Sequence, residues 1–255
     1  MSHVLFSIED QIATLTLNRP EKLNSVTPEM ARAIMTHVQH CNENDQIRAV
    51  IITGAGERAF CAGSDIAELD TYDTPWVFRN RPDYCDAIRA LRKPAICAIN
   101  GYALGGGLET AMSCDIRIAS DTAKFASPEV KLGWIGGGGM AYMLVHNIGA
   151  SNAARMLMTG EPVSADTALA WGLVSQVVPH EALQSQAREI AQMIAARPPI
   201  AVQTAKTNIR AAYAVPLETA IQYERDLQTI CFATQDADEG RRAFKEKRSP
   251  VFEGR

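Results

Sequence analysis

The sequence predicts an α/β fold, a strand-and-helix core followed by an all-helical C-terminal region, and three observations carry that expectation. Short runs rich in apolar and β-branched residues, RAVIITG (48–54), PAICAIN (94–100) and DIRIAS (115–120), are separated by helical segments, which implies crossovers and a mainly parallel sheet. From about residue 181 strand patterns give way to successive amphipathic helices. The 255 residues are 47% apolar and 21% charged, ordinary globular composition with enough chain for a large core. The expected division is a core over 1–195 and a helical region over 196–255.

Each element has its own warrant. VLFSI and IATLTL flank Glu9-Asp10-Gln11 and read as a hairpin. Thr27 is suited to cap a helix with Pro28 at its first position, where the missing N–H costs little. Met30, Ala33, Ile34, Val38 and Cys41 follow at helical spacing. LETAMSC (108–114) reads as a short helix and QVV (176–178) as a short strand. EALQSQAREIAQMIAARPP, IAVQTAKTNIRAAYAV and PLETAIQYERDLQTICFAT are helical, and DADEGRRAFKEKRSPVF is a last charged helix. The C-terminal helices are apolar along one face. A subunit contact would cover it, and so would a tail folded back on its own core.

Composition also narrows function. A net charge of −4 offers no whole-protein basic field for nucleic acid or an anionic membrane. No apolar run spans a bilayer, and MSHVLFSIED lacks a basic-then-apolar export pattern, so a cytoplasmic location is expected. Cysteines at 41, 61, 85, 97, 114 and 231 are dispersed among apolar residues with no CxxC, which favours reduced, buried thiols. His37, His40 and Cys41 share a helical face at ligand-like spacing. Met30, Ile34 and Val38 share that face and no fourth ligand is evident, so a core or interface face is the better reading and no metal is expected.

GYALGGGLET (101–110) poses the functional question. The order is strand, turn, helix, but the spacing suits neither a dinucleotide fingerprint (position 110 is Thr) nor a P-loop, since no Lys-Ser/Thr follows. Glycines let backbone approach another group closely, and a helix start presents free N–H groups. An oxyanion hole and a plain helix–strand contact both satisfy this pattern. RAFCAGSDIAEL (58–69) supplies a second small-residue turn before a helix start, with Asp65 and Glu68 spaced as a capping pair. Two such turns could aim two N–H groups at one oxygen. Glu109 lies among small and apolar residues, and Glu129 leads into a second glycine run, Gly136–Gly139. Taken singly, a glutamate at a helix start is more often a dipole-stabilising surface residue.

AFCAGSDIAEL, NGYALGGGLETAMSCDIRIAS, FASPEVKLG, MTGEPVSADTALAWGLVSQVVP and AFKEKRSPVF, with NRPEKLNSVTPEM near the start, resemble the crotonase (enoyl-CoA hydratase/isomerase) superfamily almost end to end. The resemblance implies a spiral of ββα units with a helical C-terminal region that forms a trimer or a pair of trimers. It implies an acyl-CoA thioester substrate and no cofactor, coenzyme A being part of the substrate. The N–H groups of Ser64 and Gly106 would bind the thioester oxygen, and Glu109 and Glu129 match the two glutamates of the hydratases. Gly137 N–H would help hold the water. Lys22 and Lys247 would offer charge to the coenzyme A phosphates, the latter across a subunit boundary. Ala62, Asp65, Ile66, Leu69, Trp134 and Ile135 fall where substrate contacts and the acyl pocket are expected, with 71–84 as a cover carrying Trp76 and Phe78.

The chemistry is consistent with this independently. Hydrating an α,β-unsaturated thioester needs one proton taken from water and one delivered to the α-carbon, and two carboxyls sharing one proton can do both. We assign the α-carbon proton to Glu129 and water activation to Glu109. One departure stands out. Family members often read IPGAGGTQRL where this chain has IGGGGMAYML, so that Gly136 replaces a proline and Ala141-Tyr142-Met143 replace polar residues. The change implies a looser loop beside the water and admits a bulkier or functionalised acyl group, or dehydration of a hydroxyacyl-CoA. The rivals are a Δ3–Δ2 enoyl-CoA isomerase using Glu129 alone, a non-catalytic CoA-ester binder, and an RNA-binding crotonase fold using the basic tail Arg241, Arg242, Lys245, Lys247 and Arg248.

Overall fold

The computed structural model describes residues 2–69 and 71–255. The chain opens with the hairpin of β1 (Val4–Glu9) and β2 (Ile12–Leu17). Its turn is the two residues Asp10 and Gln11, both at positive φ (50° and 65°), the twist-matched geometry of a tight hairpin. Then comes α1 (Pro28–Glu43), capped by Thr27 Oγ1, which accepts from Met30 N–H at 3.2 Å.

Three successive repeats of one pattern follow. β3 (Ala49–Gly54) leads to β4 (Ala59–Cys61) and the short helices α2 (Ile66–Leu69), α3 (Pro75–Arg79) and α4 (Tyr84–Arg89). β5 (Ala95–Ile99) leads to β6 (Tyr102–Leu104) and α5 (Gly106–Met112). β7 (Ile116–Ser120) leads to β8 (Lys124–Ala126), a 3-10 turn over Pro128–Leu132, and α6 (Met140–Thr159), which breaks at Gly149. In each repeat the first strand joins a six-stranded sheet, β1-β2-β3-β5-β7-β10, and the second a four-stranded sheet, β4-β6-β8-β9. β9 (Val163–Ser164), α7 (Ala165–Trp171) and β10 (Gln176–Val178) close the two sheets. From β2 to β10 the large sheet is parallel, as the crossovers predicted. The result is a crotonase-type spiral of ββα turns.

Both faces of the large sheet are covered, which is why its strands read as unbroken apolar runs. Val50 and Ile52 of β3 face the small sheet, in one core with Phe60 and Phe125. Ala49 and Ile51, on the other face, pack with Leu183, Ala187 and Ala191 of α8 (Leu183–Ala195). Phe60 is fully buried, and truncating it to Ala costs about 3–5 kcal/mol. The small-sheet strands were not foreseen, since two or three residues carry no readable period.

The C-terminal helices are anchored at a few polar points. α9 (Pro199–Ala212) buries only Lys206, whose Nζ donates to Lys93 O (2.8 Å) and pairs with Asp115 (2.7 Å). α10 (Leu217–Phe232) buries nothing and leaves Leu217, Ile230 and Phe232 exposed. After α11 (Gln235–Glu246) the chain does turn back on the core: Arg48 donates to Phe252 O at 2.6 Å, and Asp236 accepts from Glu253 and Gly254 N–H. The basic tail is largely neutralised, with Arg241 on Asp238, and Arg242 and Arg248 on Glu239. On α1, His37 stacks on Phe6 at 4.5 Å and His40 meets the same ring edge-on, while Cys41 is buried. No helix among the described residues is long and apolar enough to cross a membrane.

Candidate active site

The site gathers where β4, β6 and β8 end. After β4, Gly63 O accepts from Val26 N–H (2.8 Å) and Asp65 N–H donates to Val26 O (2.9 Å). Strand alternation then turns the Ser64 N–H the other way, and among the described residues it meets no protein acceptor. Gly106 is the first residue of α5, so its N–H is one of the unpaired donors of a helix start, and it too has no protein acceptor. The two turns touch: a Cβ on Gly63 would lie 3.0 Å from Gly106 N. The turns that carry the two unpaired N–H groups are thus in contact.

The three glycines 105–107 are each required by a different neighbour. A Cβ would meet Glu129 Oε1 at 2.5 Å from Gly105, Tyr84 Oη at 2.3 Å from Gly106, and Cys61 O at 2.0 Å from Gly107. Gly105 also has φ +53°, a backbone other residues adopt only with strain. It joins both acids: its carbonyl accepts the Glu109 N–H (3.0 Å), and the Glu129 carboxylate lies against its Cα.

Both glutamates are buried, Glu109 at 5% and Glu129 at 9% exposure. Glu109 Oε1 accepts from Gly138 N–H (2.7 Å) and Met140 N–H (3.3 Å), leaving Oε2 the less engaged oxygen. Glu129 Oε2 accepts from Ser127 Oγ (3.0 Å), leaving Oε1 beside Gly105. Burial pushes the Glu109 carboxyl above its ordinary value; the Gly138 N–H opposes that rise, and the charges of Glu129 and Asp83 add to it.

The glycine run that departs from the family pattern closes around Glu109. A Cβ on Gly136 would lie 2.8 Å from Glu109 Oε1, and one on Gly138 2.8 Å from Oε2. Whatever its backbone freedom, the run packs close to the Glu109 carboxylate at these two positions. The N–H that bonds Glu109 belongs to Gly138, next to the Gly137 whose N–H was expected to help hold the water.

Other expected contacts fall unevenly. Ala62 spends its N–H on Leu23 O. Asp65 pairs with Arg19 at 2.6 Å, and that hydrogen bond holds its carboxyl below the usual range. Its Oδ1 accepts from Ala67 N–H, so Asp65 serves the local turn. Exposed Lys22 lies near enough to add to the lowering at Asp65. Lys247 ends α11 on the surface, and no contact ties it to the site within one subunit, among the described residues. A cavity of about 300 Å³ opens beside Ser64, lined among others by Ala31, Leu69, Val77 and Tyr84. Of the apolar residues expected in the acyl pocket, Leu69 lines it; Ile66, Trp134 and Ile135 are on the surface, 55%, 41% and 80% exposed. Trp76 and Phe78 lie on α3 and are exposed. Ser127, Arg19 and Tyr84 were missed. Only Ser127 left a local signal, two residues before Glu129.

The stacked ββα turns of the two sheets define the crotonase class of fold. The family model for "Enoyl-CoA hydratase/isomerase" matches residues 7–255, and the chain belongs to that family and to the hydro-lyase type its relatives represent. It is 39% identical to (E)-benzylidenesuccinyl-CoA hydratase of Thauera aromatica, over 98% of this chain and 99% of that one. It is 37% identical to the short-chain-enoyl-CoA hydratase of Clostridium acetobutylicum, over 97% and 96%. The crystal structure of enoyl-CoA hydratase from Bacillus anthracis superposes with a TM-score of 0.94 at 36% identity, covering both chains fully.

Proposed function

We propose that this enzyme adds water reversibly across the α,β double bond of an enoyl-CoA thioester, with Glu109 and Glu129 as its acid–base pair. The observation that carries the reading is the pair itself: two buried carboxylates meet at Gly105, next to the Gly106 N–H, each with one oxygen tied by protein donors. Ser64 and Gly106 N–H hold the thioester oxygen and stabilise the enolate-like charge. Glu109 takes a proton from water while Glu129 delivers one to the α-carbon; dehydration reverses both transfers. The Gly137 N–H assists in holding the water. The cavity beside Ser64 accepts the acyl group, and Lys22 attracts the coenzyme A phosphates. The exposed apolar faces of α9 and α10 support residues 196–255 as an oligomerisation region, a trimer or pair of trimers that brings Lys247 to a neighbouring site.

The relatives' names cover short and bulky functionalised acyl groups alike, so substrate range needs direct measurement. Loss of enoyl-thioester absorbance is followed with crotonyl-CoA and with longer, branched and carboxylated enoyl-CoAs. Turnover of at least one, abolished by Glu129→Gln, is expected. Silence across the panel with tight CoA-ester binding would overturn the hydratase reading in favour of an isomerase.

A further inference from the structure

Resting on the assignment of Glu109 to catalysis, we propose that Arg89 is a positioning residue that clamps the glycine run and the end of α5 together and so fixes the Glu109 carboxylate. Arg89 is the last residue of α4. Its Nη1 donates to Gly138 O at 2.6 Å and to Ser113 Oγ at 3.2 Å, and its Nη2 pairs with Asp86. Gly138 is the residue whose N–H holds Glu109 Oε1 at 2.7 Å. Ser113 Oγ in turn donates to the backbone carbonyl of Glu109, also at 2.7 Å. One guanidinium therefore grips both the residue whose N–H holds the head of Glu109 and the helical turn that carries its backbone.

The glycine run explains the need for a clamp. Residues 136–139 have no side chains to pack, and glycine has the greatest backbone freedom to lose. Gly138 cannot gain a side chain without meeting Glu109 Oε2. The loop must be anchored from outside, and Arg89 reaches it from 49 residues away in sequence. The rigid, multi-donor fork of arginine can engage a carbonyl and a hydroxyl together, which the flexible ammonium of lysine does less well.

The clamp also acts on protonation. Glu109 is faced by Glu129 from the 3-10 turn, by Asp83 and Cys85 at the start of α4, and by the Gly138 and Met140 N–H groups, while Arg89 at the end of α4 bonds the Gly138 carbonyl. The acids push its carboxyl up and the Gly138 N–H pulls it down. Releasing Gly138 weakens that downward pull. Because Glu109 takes the water proton as a carboxylate, the acid limb of kcat then moves to higher pH.

The test is a mutant cycle on the fastest enoyl-CoA of the panel, with kcat, KM and the pH profile measured for Arg89→Met, Arg89→Lys and Glu109→Gln, and for Arg89→Met combined with Glu109→Gln. Arg89→Met is expected to lower kcat about 10-fold, with KM little changed and the acid limb displaced upward. Arg89→Lys should rescue only part, and the Arg89→Met effect should vanish in the Glu109→Gln background. If Arg89→Met fails to fold, Arg89→Lys carries the same comparison. A parental kcat and acid limb in the Arg89 variant, with Glu109→Gln slow, overturns the positioning role alone. So does a loss of the same size in both backgrounds, which would be ordinary packing. A Glu109→Gln enzyme as fast as the parent overturns the two-glutamate reading itself.

Discussion

Glu109 and Glu239 are both largely buried carboxylates, 5% and 9% exposed, and they are held in opposite ways. Glu239, on α11, accepts from Arg242, from Arg248 at both oxygens, and from Val251 N–H. The Arg248 bonds, then those from Arg242 and Val251, hold its carboxyl well below the usual range. Glu109 has two backbone N–H groups, no cation in direct contact among the described residues, and a second acid nearby, and its carboxyl is pushed up. A carboxylate that ties a chain end down is given its counter-charges. One proposed to trade protons is left without them, at a cost in stability.

The sharpest way to break this comparison is to neutralise each acid. Glu109→Gln is expected to lower kcat by about 10²–10⁴-fold with acyl-CoA binding nearly intact, as steady-state kinetics and a binding titration would show. Glu239→Gln should leave turnover close to the parent's and lower Tm by a few degrees. A Glu239 variant that is slow but stable would erase the distinction. Next in size, Gly138→Ala drives a methyl toward Glu109 Oε2 and should cost kcat about 10–100-fold, since small misplacements at a reacting group are expensive.

The smallest effects lie in the pH dependence of stability, and their signs are opposite. Glu239 has a folded pKa below its unfolded value of about 4.5. Its contribution is full above that value and is lost as pH falls below it, so the Tm gap between parent and Glu239→Gln should narrow in acid. Glu109 has a folded pKa above its unfolded value, so stability is lost as pH rises from the unfolded toward the folded value. Glu109→Gln should therefore melt slightly higher than the parent at pH 7, an advantage absent below pH ~4. Thermal melts across pH check both.

Legibility in the sequence followed the range of the contacts involved. The hairpin, β3, β5, β7 and capped α1 were readable because period and turn chemistry are local. The small sheet was hidden because strands such as Ala59–Cys61 are too short to show alternation. In the site, the glutamates and glycine turns were visible as residue types in sequence. Arg19 and Arg89 were not, because they act on Asp65 and Gly138 across 46 and 49 residues. The replacement of a proline by Gly136 was readable as a departure, but its closeness to Glu109 was not, since only the folded chain shows Glu109 filling the space a side chain would need.

The order of strands in the small sheet has a consequence of its own. Ser64 and Gly106 follow β4 and β6, which are hydrogen-bonded neighbours. Adjacent strands lie about 4.8 Å apart, close to the separation at which two N–H groups can share one oxygen. The spacing of the proposed N–H pair is thus inherited from the rung spacing of a β-ladder, a dimension that no side-chain substitution can readily stretch. If that pair holds the thioester oxygen as proposed, substitutions at Glu109 and Glu129 would alter the chemistry while leaving the backbone grip unchanged.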